Sequence, residues 1–369
     1  MNNASSTAAQ RLARVRASLA EHGLDGLLVS QIANVRYLTG FSGSSGWLLL
    51  GSDRALFFTD GRYETQAEEE LPGDVDLELV ILRDGSIAGL SQRAAQEFAG
   101  RRVGFEGQHV AYGDWERLRG EDEAVEWQSV PGVVEALRAA KDDDEIALIG
   151  KAAEIAAAAL LETLPTVRPG MREVDVAAEL EYRMRRLGAE GAAFEVIVAS
   201  GARTALPHAA TSEREMREGD LLLIDFGARW RGYCSDMTRT FVLGEPQARQ
   251  REVYDLVLAA QQAACAALRD GVTGAEVDAA ARAVFTARGL EDRFPHSSGH
   301  GLGLEVHEGP RLGRRSEERL QPGTVVTVEP GLYFPGWGGI RIEDDLVVTT
   351  SGAGVLVELE KHRLRSLPS

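Results

Sequence analysis

The chain has 369 residues, of which 44% are hydrophobic and 26% are charged, which is ordinary for a soluble globular protein. At roughly 150 residues per domain, this length predicts about two domains. The 40 basic and 57 acidic residues give a net charge of −17, and no long basic run is present. We therefore expect neither nucleic acid nor an anionic membrane as a partner.

Targeting and redox signals are weak. Cys234 and Cys265 are the two cysteines of the chain, too few for a disulfide framework. No apolar run reaches the ~18 residues that a transmembrane helix needs. The opening MNNASSTAAQ lacks the charged segment and apolar core of a secretory signal, so we expect a cytoplasmic protein.

The first 135 residues alternate between helix-like and strand-like segments, which favours an α/β domain. They contain no cluster of histidine, cysteine and carboxylate residues, so we expect this domain to support or gate a site elsewhere. The loop YLTGFSGSSG at 37–46 is rich in glycine, but it lacks the spacing of a phosphate-binding loop and precedes a predicted strand. The predicted strands are 24–29, 47–50, 55–59, 76–82 and 102–105, and the predicted helices include 63–71 and 87–98.

A second domain is predicted to begin between residues 134 and 141, which divides the chain into domains 1–135 and 136–369. The run KDDDE at 141–145 is interpreted as a solvated first turn, because acidic side chains complement the dipole at a helix start. The predicted helices of this half are 143–163, 173–187, 247–269 and 274–288, with a strand at 194–199.

Two aspartates flank a predicted hairpin in the middle of this domain. Four apolar residues at 221–224 run directly into Asp225, and Asp236 follows a segment with two glycines. A turn centred on Trp230 and Arg231 would place the two aspartates directly opposite, with Cβ atoms roughly 5 Å apart. Cations would relieve the repulsion between them, and a pair roughly 3.5–4 Å apart would fit. The alternative is a solvated hairpin with two exposed acids.

Three of the seven histidines, His296, His300 and His307, lie in one glycine-rich stretch. Glycines flank His300, so backbone can approach it closely. Neutral imidazole is a good ligand for first-row metals, and a second histidine could act on a substrate. The stretch does not match the HExxH zinc helix, because no second histidine follows His307 in phase.

A second pair of acids repeats the pattern of Asp225 and Asp236. Glu329 ends an apolar strand at 325–328, and a hairpin about Gly336 would bring it opposite Glu343. Arg341 and Glu343 share one strand face. Four carboxylates and one imidazole suit Mn²⁺, Co²⁺ or Zn²⁺ in a two-metal site better than a thiolate zinc site. These candidate ligands are Asp225, Asp236, His300, Glu329 and Glu343.

These motifs resemble the pita-bread metallopeptidase family, which includes aminopeptidase P, prolidase, methionine aminopeptidase and creatinase. The matching contexts over residues 141–350 are DFG, SDMTR, GHGLGLEVHE, EPGLY and IRIEDD. The first 135 residues resemble the creatinase-type amino-terminal domain through YLTGFSGSSG and FFTDGRY. The resemblance implies an α/β (α+β) protein, with a creatinase-type α/β domain followed by a pita-bread catalytic domain.

The resemblance also implies roles for individual residues. Asp225 would bind one metal, Asp236 and Glu343 would bridge two metals, and His300 and Glu329 would bind the second. Two divalent ions per chain are expected. Mn²⁺ is the preferred candidate, and Zn²⁺ and Co²⁺ are the alternatives. The expected catalytic residues are His208, His307, Glu329 and Arg341, and the expected substrate-binding residues are His208, His307, Tyr333 and Arg341.

The function that the resemblance implies is hydrolysis of the bond between an amino-terminal residue and a following proline, in a homodimer. The small, uncharged loop at 42–47 favours an Xaa-Pro aminopeptidase, because it leaves room for a longer peptide. The alternative is an Xaa-Pro dipeptidase, in which Arg62 could bind the free carboxylate of proline. An alternative of a different functional class is a binding module without catalytic activity. The presence of all five candidate ligands argues against it.

Overall fold

The structure is a computed structural model that describes residues 3–83, 87–120 and 124–368. The chain divides into two compact units, Met1–Arg138 and Ala139–Ser369. Among the helices of these described ranges, none is long and apolar enough to cross a membrane.

The first unit is built around one mixed sheet. Its helices are α1 (Asn3–Glu21), α2 (Ile32–Thr39), α3 (Glu64–Glu70), α4 (Ile87–Phe98), α5 (Tyr112–Arg119) and α6 (Val133–Arg138). Its strands are β1 (Gly26–Val29), β2 (Trp47–Gly51), β3 (Ala55–Asp60), β4 (Leu77–Leu82), β5 (Arg102–Phe105) and β6 (Glu126–Ser129). The strand order is β4-β3-β2-β1-β5-β6. The central strands are almost continuously apolar because both of their faces are buried, as in Leu28 and Phe57.

The second unit contains two helix pairs and several antiparallel sheets. The helices are α7 (Asp143–Thr163), α8 (Glu173–Arg186), α9 (Ala248–Ala267) and α10 (Gly274–Thr286). The strands before α9 are β7 (Gly191–Ala192), β8 (Ile197–Ser200), β9 (Leu221–Phe226), β10 (Ala228–Trp230), β11 (Tyr233–Cys234) and β12 (Met237–Leu243). Those after α10 are β13 (Gly299–Gly301), β14 (Glu308–Leu312), β15 (Val325–Val328), β16 (Gly331–Phe334), β17 (Gly338–Arg341), β18 (Asp344–Thr349), β19 (Gly352–Val355) and β20 (Arg365–Leu367).

Two sheets carry the long hairpins of this unit. One has the order β20-β12-β9-β8, and the other has the order β14-β13-β15-β18-β19. The hairpin of β9 and β12 continues into the short strands β10 and β11, and the hairpin of β15 and β18 continues into β16 and β17. Each of the four predicted carboxylate ligands lies at or beside the point where its hairpin passes from one ladder to the next.

The predicted register of the first hairpin is wrong by two residues. Asp225 lies opposite Thr238, not Asp236. The turn is centred one residue later than predicted, on Arg231 (φ 47°) and Gly232 (φ 83°), because a two-residue type I′ turn needs positive φ at both central positions and favours glycine at the second. A shift of two residues keeps every side chain on its face, so Asp225 and Asp236 still face the same side.

The second hairpin has the predicted register. Val328 pairs with Asp344 in one ladder and Gly331 pairs with Arg341 in the next. Glu329 and Glu343 therefore fall opposite one another in the gap between the two ladders. The prediction succeeded because Gly336, with φ 80°, lies at the centre of the turn.

The interpretation of residues 141–145 as a solvated helix start is only partly correct. Asp142 is the N-cap of α7 and forms a capping box with Glu145. Glu145 is buried, however, and accepts a hydrogen bond from the hydroxyl of Tyr233 at 2.9 Å. Lys141 is also buried and pairs with Glu308 at 2.7 Å. The run therefore anchors the start of α7 inside the second unit.

Candidate metal centre

The five predicted ligands lie together in the second unit. Nε2 of His300 is 3.6 Å from Oδ2 of Asp236 and 3.7 Å from Oε1 of Glu329. Three overlapping groups each offer ligand atoms that lie within 4.8 Å of one another. These groups are Asp225, Asp236 and Glu343; His300, Glu329 and Glu343; and Asp236, His300 and His307.

Burial makes this cluster electrostatically costly. Burial, together with the charges of Glu343 and Asp225, raises the pKa of Asp236 well above its usual value. Burial and the charge of Glu329 likewise raise the pKa of Glu343. Burial raises the pKa of Glu329 to about 8 and lowers that of His300 to about 4. Without compensating positive charge, the carboxylates would be driven toward protonation and the imidazole toward its neutral form.

The donor set fits divalent metal ions. Oδ1 of Asp225 is buried without a hydrogen-bond partner, which is unusual for a carboxylate oxygen and leaves it free to coordinate. Carboxylate oxygens and neutral imidazole are the ligands that Mn²⁺, Co²⁺ and Zn²⁺ accept. The cation would also remove the repulsion that raises the pKa values of Asp236 and Glu343.

Arg341 connects the cluster to the cavity wall. Its Nη2 donates to Oδ2 of Asp225 at 2.5 Å, and its Nη1 donates to the hydroxyl of Tyr333 at 3.0 Å. Nη1 also donates to the carbonyl oxygen of Pro207 at 3.1 Å, next to His208. The arginine is almost completely buried. It therefore fixes one candidate ligand, one wall residue and the segment of a predicted substrate histidine.

The predicted substrate histidines line the same cavity as the ligands. His208 and His307 both reach this cavity, which has a volume of about 730 Å³. The rings of His300 and His307 are 4.3 Å apart, and partial desolvation lowers the pKa of His307. Because His307 also belongs to one of the three ligand groups, the distances alone leave it able to act either as a ligand or on the substrate.

His296 is a cavity residue to which the sequence assigned no role. One of its ring nitrogens, Nε2, lies 2.9 Å from the hydroxyl of Tyr333, and the other lies 4.0 Å from Oε2 of Glu329. Burial lowers its pKa to about 3. Its place four residues before His300, in the same glycine-rich stretch, was the available signal.

Contacts distant in sequence support two further parts of the cavity. Glu308 is held by Lys141, with 6% and 1% of their side chains exposed, and it directly follows His307. Arg311 lies opposite His300 across β13 and β14, and it lines the cavity together with Arg315. The sequence assigned no role to Glu308, Arg311 or Arg315, because each acquires its surroundings from a strand or helix elsewhere in the chain.

Glu173 organises the segment that carries His208. Its Oε1 accepts hydrogen bonds from the amide and the hydroxyl of Ser200, both at 2.7 Å. Its Oε2 accepts from the hydroxyl of Ser212 at 2.6 Å and from Nε of Arg203 at 3.1 Å. The carboxylate is fully buried. It therefore ties both ends of the segment 200–212 to α8.

We expect Glu173→Ala to destabilise the second unit. Removing a buried carboxylate leaves several donors without an acceptor, which costs about 3 kcal/mol. This corresponds to a fall in Tm of about 6–12 °C for a unit of this size, measured by scanning calorimetry. Glu179→Ala, which removes a partly exposed partner of Arg183 on the same helix, is the control and should change Tm little. Equal losses in the two variants would contradict this role for Glu173.

The mixed sheet of the first unit and the carboxylate and histidine cluster of the second define a two-part metallopeptidase. The sequence profile of metallopeptidase family M24 matches residues 147–350, and that of the creatinase/prolidase N-terminal domain matches residues 11–140. The chain belongs to metallopeptidase family M24. The predicted family and its fold, a creatinase-type domain followed by a pita-bread catalytic domain, are therefore confirmed.

Several relatives are similar over nearly their whole length. A solved Xaa-Pro dipeptidase from Bacillus anthracis is 40% identical with a TM-score of 0.92, and the match covers 98% of this chain and 100% of that one. A solved X-Pro aminopeptidase from Thermotoga maritima is 36% identical with a TM-score of 0.88, covering 96% and 99%. The Xaa-Pro dipeptidase of Pyrococcus furiosus is 36% identical over 357 residues, covering 96% and 99%. Dipeptidase names predominate among such relatives, which favours the alternative over the predicted aminopeptidase.

Proposed function

We propose that the protein is an Xaa-Pro dipeptidase, which hydrolyses the bond between the two residues of a dipeptide ending in proline. The observation that carries this proposal is the presence of Arg311 beside the ligand cluster. Arg311 lies opposite His300 across β13 and β14, and it lines the cavity that His300 and His307 also line. An arginine in that place suits the free carboxylate of a dipeptide, because its planar fork can bind both oxygens.

The size of the cavity agrees with a small substrate. Its volume of about 730 Å³ lies in the usual range of about 300–1,000 Å³ for small-ligand sites. All of its lining residues among the described parts of the chain belong to the second unit. Arg62, the carboxylate anchor suggested by the sequence, is 73% exposed in the first unit and pairs with Asp60 at 2.9 Å. Arg311 therefore replaces it as the proposed anchor.

In the proposed mechanism, divalent ions held by Asp225, Asp236, His300, Glu329 and Glu343 would supply Lewis acidity for attack by water. Glu329 takes the proton of the attacking water and passes it to the leaving proline nitrogen. His307 and His208 donate hydrogen bonds to the substrate, and His307 stabilises the negative oxygen that forms from the carbonyl. Arg341 keeps Asp225 and Tyr333 in place.

The cleavage test compares Ala-Pro, Ala-Pro-amide and Ala-Pro-Ala in Mn²⁺ buffer. A charge-assisted hydrogen bond to the carboxylate contributes about 1.5–3 kcal/mol, so kcat/KM for Ala-Pro should exceed that for the amide by about 10–100-fold. Arg311→Ala should remove this preference with little effect on the amide. Arg314→Ala is the matched control, because Arg314 is also exposed but pairs with Glu291 outside the cavity lining.

The second candidate function is that of an Xaa-Pro aminopeptidase. It is supported by the small residues at 42–47 and by similarity to the Thermotoga maritima X-Pro aminopeptidase. Preference of the wild-type protein for Ala-Pro-Ala over Ala-Pro would establish this function and reject the dipeptidase. If the dipeptide is preferred but Arg311→Ala keeps the preference, Arg315 is the other exposed arginine of the cavity lining to replace.

We further propose Mn²⁺ as the working metal, with Zn²⁺ or Co²⁺ as alternatives, and a cytoplasmic homodimer with domains 1–135 and 136–369. Metal analysis of the purified protein tests the identity of the metal. Its mass in solution tests whether it forms a homodimer.

A further inference from the structure

The hydroxyl of Thr238 lies between the charged groups of the candidate metal centre. Thr238 is fully buried on β12 and lies opposite Asp225 across the sheet. Its Oγ1 is 2.6 Å from Oε2 of Glu343 and 3.0 Å from Nε of Arg341. One small side chain therefore contacts both a candidate ligand and the arginine that holds another.

The chemistry of the three groups fixes the direction of these hydrogen bonds. A guanidinium group can donate but has no acceptor, so the hydroxyl oxygen of Thr238 accepts from Arg341. When divalent ions keep Glu343 ionised, the single hydroxyl proton of Thr238 remains for its Oε2. Hydrogen bonds to ionised carboxylates are short and strong, in agreement with the 2.6 Å separation.

The contacts form a continuous chain between the two hairpins. Arg341, which donates to Thr238, also donates to Asp225 through Nη2 at 2.5 Å. The backbone amide of Glu343 donates to the carbonyl oxygen of Thr238 at 3.1 Å. Thr238 therefore holds Glu343 at two points, through the main chain and through the carboxylate.

We propose that Thr238 is a positioning residue that orients the Glu343 carboxylate for divalent metal ions. This role rests on the proposed two-metal site. With Oε2 committed to the hydroxyl, the rotation of the Glu343 carboxylate is fixed relative to the other candidate ligands. Loss of the hydroxyl releases that rotation and also leaves Nε of Arg341 without this acceptor in a buried place.

Thr240 provides a matched control. It lies two residues further along β12, on the same face, and is also buried. Its hydroxyl donates to the carbonyl oxygen of Arg341 at 3.0 Å and accepts from the amide of Arg341 at 3.3 Å. Thr240→Val therefore removes a comparable buried hydroxyl without touching a carboxylate.

The experiment titrates the metal-free full-length protein with Mn²⁺ by isothermal calorimetry, in the wild type and in Thr238→Val, Thr238→Ser and Thr240→Val. We expect Thr238→Val to weaken Mn²⁺ binding by about 10–100-fold, as is typical when a group that supports a ligand is removed. Thr238→Ser keeps the hydroxyl and should restore the affinity, and Thr240→Val should bind as the wild type does. In turnover of Ala-Pro, Thr238→Val should lower kcat more than it changes KM.

Unchanged Mn²⁺ affinity in Thr238→Val would overturn the proposal. Equal weakening of Mn²⁺ binding in Thr240→Val would also overturn it, since the effect would then come from general disturbance of β12. A Thr238→Ser variant that binds Mn²⁺ as weakly as Thr238→Val would overturn it as well. A wild type that cleaves no proline dipeptide but shows the expected order of affinities would reject the proposed function and leave the role of Thr238 intact. A wild type that binds no Mn²⁺ would reject both.

Discussion

Asp236→Ala should abolish peptidase activity and remove most of the bound metal. Asp236 belongs to two of the three ligand groups, whereas Asp225 belongs to one, so its loss disrupts more of the centre. Since metal ions contribute several kcal/mol to transition-state stabilisation, kcat/KM should fall by about 1,000-fold or more. Metal content per chain, measured by plasma mass spectrometry, should be lower in Asp236→Ala than in Asp225→Ala.

The metal dependence has its own controls. Chelation of the wild-type protein should abolish activity, and added Mn²⁺ or Co²⁺ should restore it. Asp255→Ala, which removes an exposed acid on α9, should leave both metal content and turnover unchanged. Undiminished turnover after complete chelation would rule out a metal-dependent mechanism. Retention of two metals by Asp236→Ala would show that this aspartate does not bridge them.

His307→Ala should keep its metal and lose most of its kcat. A histidine that donates to the developing negative oxygen acts mainly in the transition state, and loss of one such donor costs about 100–1,000-fold in kcat. KM for Ala-Pro should change much less. Steady-state kinetics and metal analysis on the same preparation measure both quantities. His362→Ala, at an exposed position of the second unit, is the control and should behave as the wild type does.

This variant also separates the two roles that the distances allow. The rings of His300 and His307 are 4.3 Å apart, and either could complete a group with Asp236. His300 is almost completely buried, whereas His307 is exposed, which favours His300 as the ligand. We therefore expect His300→Ala to lose metal. If His307→Ala loses a metal instead, then His307 is a ligand, and its assignment as a histidine that acts on the substrate is wrong.

The two hairpins show where a sequence pattern fails and where it succeeds. In both, an apolar strand ending in an acid marked the position of a candidate ligand, Asp225 near the end of β9 and Glu329 directly after β15. The register of β15 to β18 follows from a glycine at the turn centre. In the first hairpin, Arg231 takes a positive φ although it is not glycine. Because nothing in the sequence indicates this, the predicted turn was one residue early.

The sequence by itself determined the family, the order of the domains and the identities of the five candidate ligands. The family resemblance depends on short motifs such as SDMTR and EPGLY, and the candidate ligands depend on acids at strand ends and a histidine between glycines, all of which the chain encodes over a few residues at a time. The tertiary structure alone decided which groups support them. Thr238 meets Glu343, Glu173 meets Ser212, and Lys141 meets Glu308 only after strands and helices far apart in the chain have packed. A buried polar group must find a partner wherever the fold supplies one, and that choice has no periodicity along the sequence.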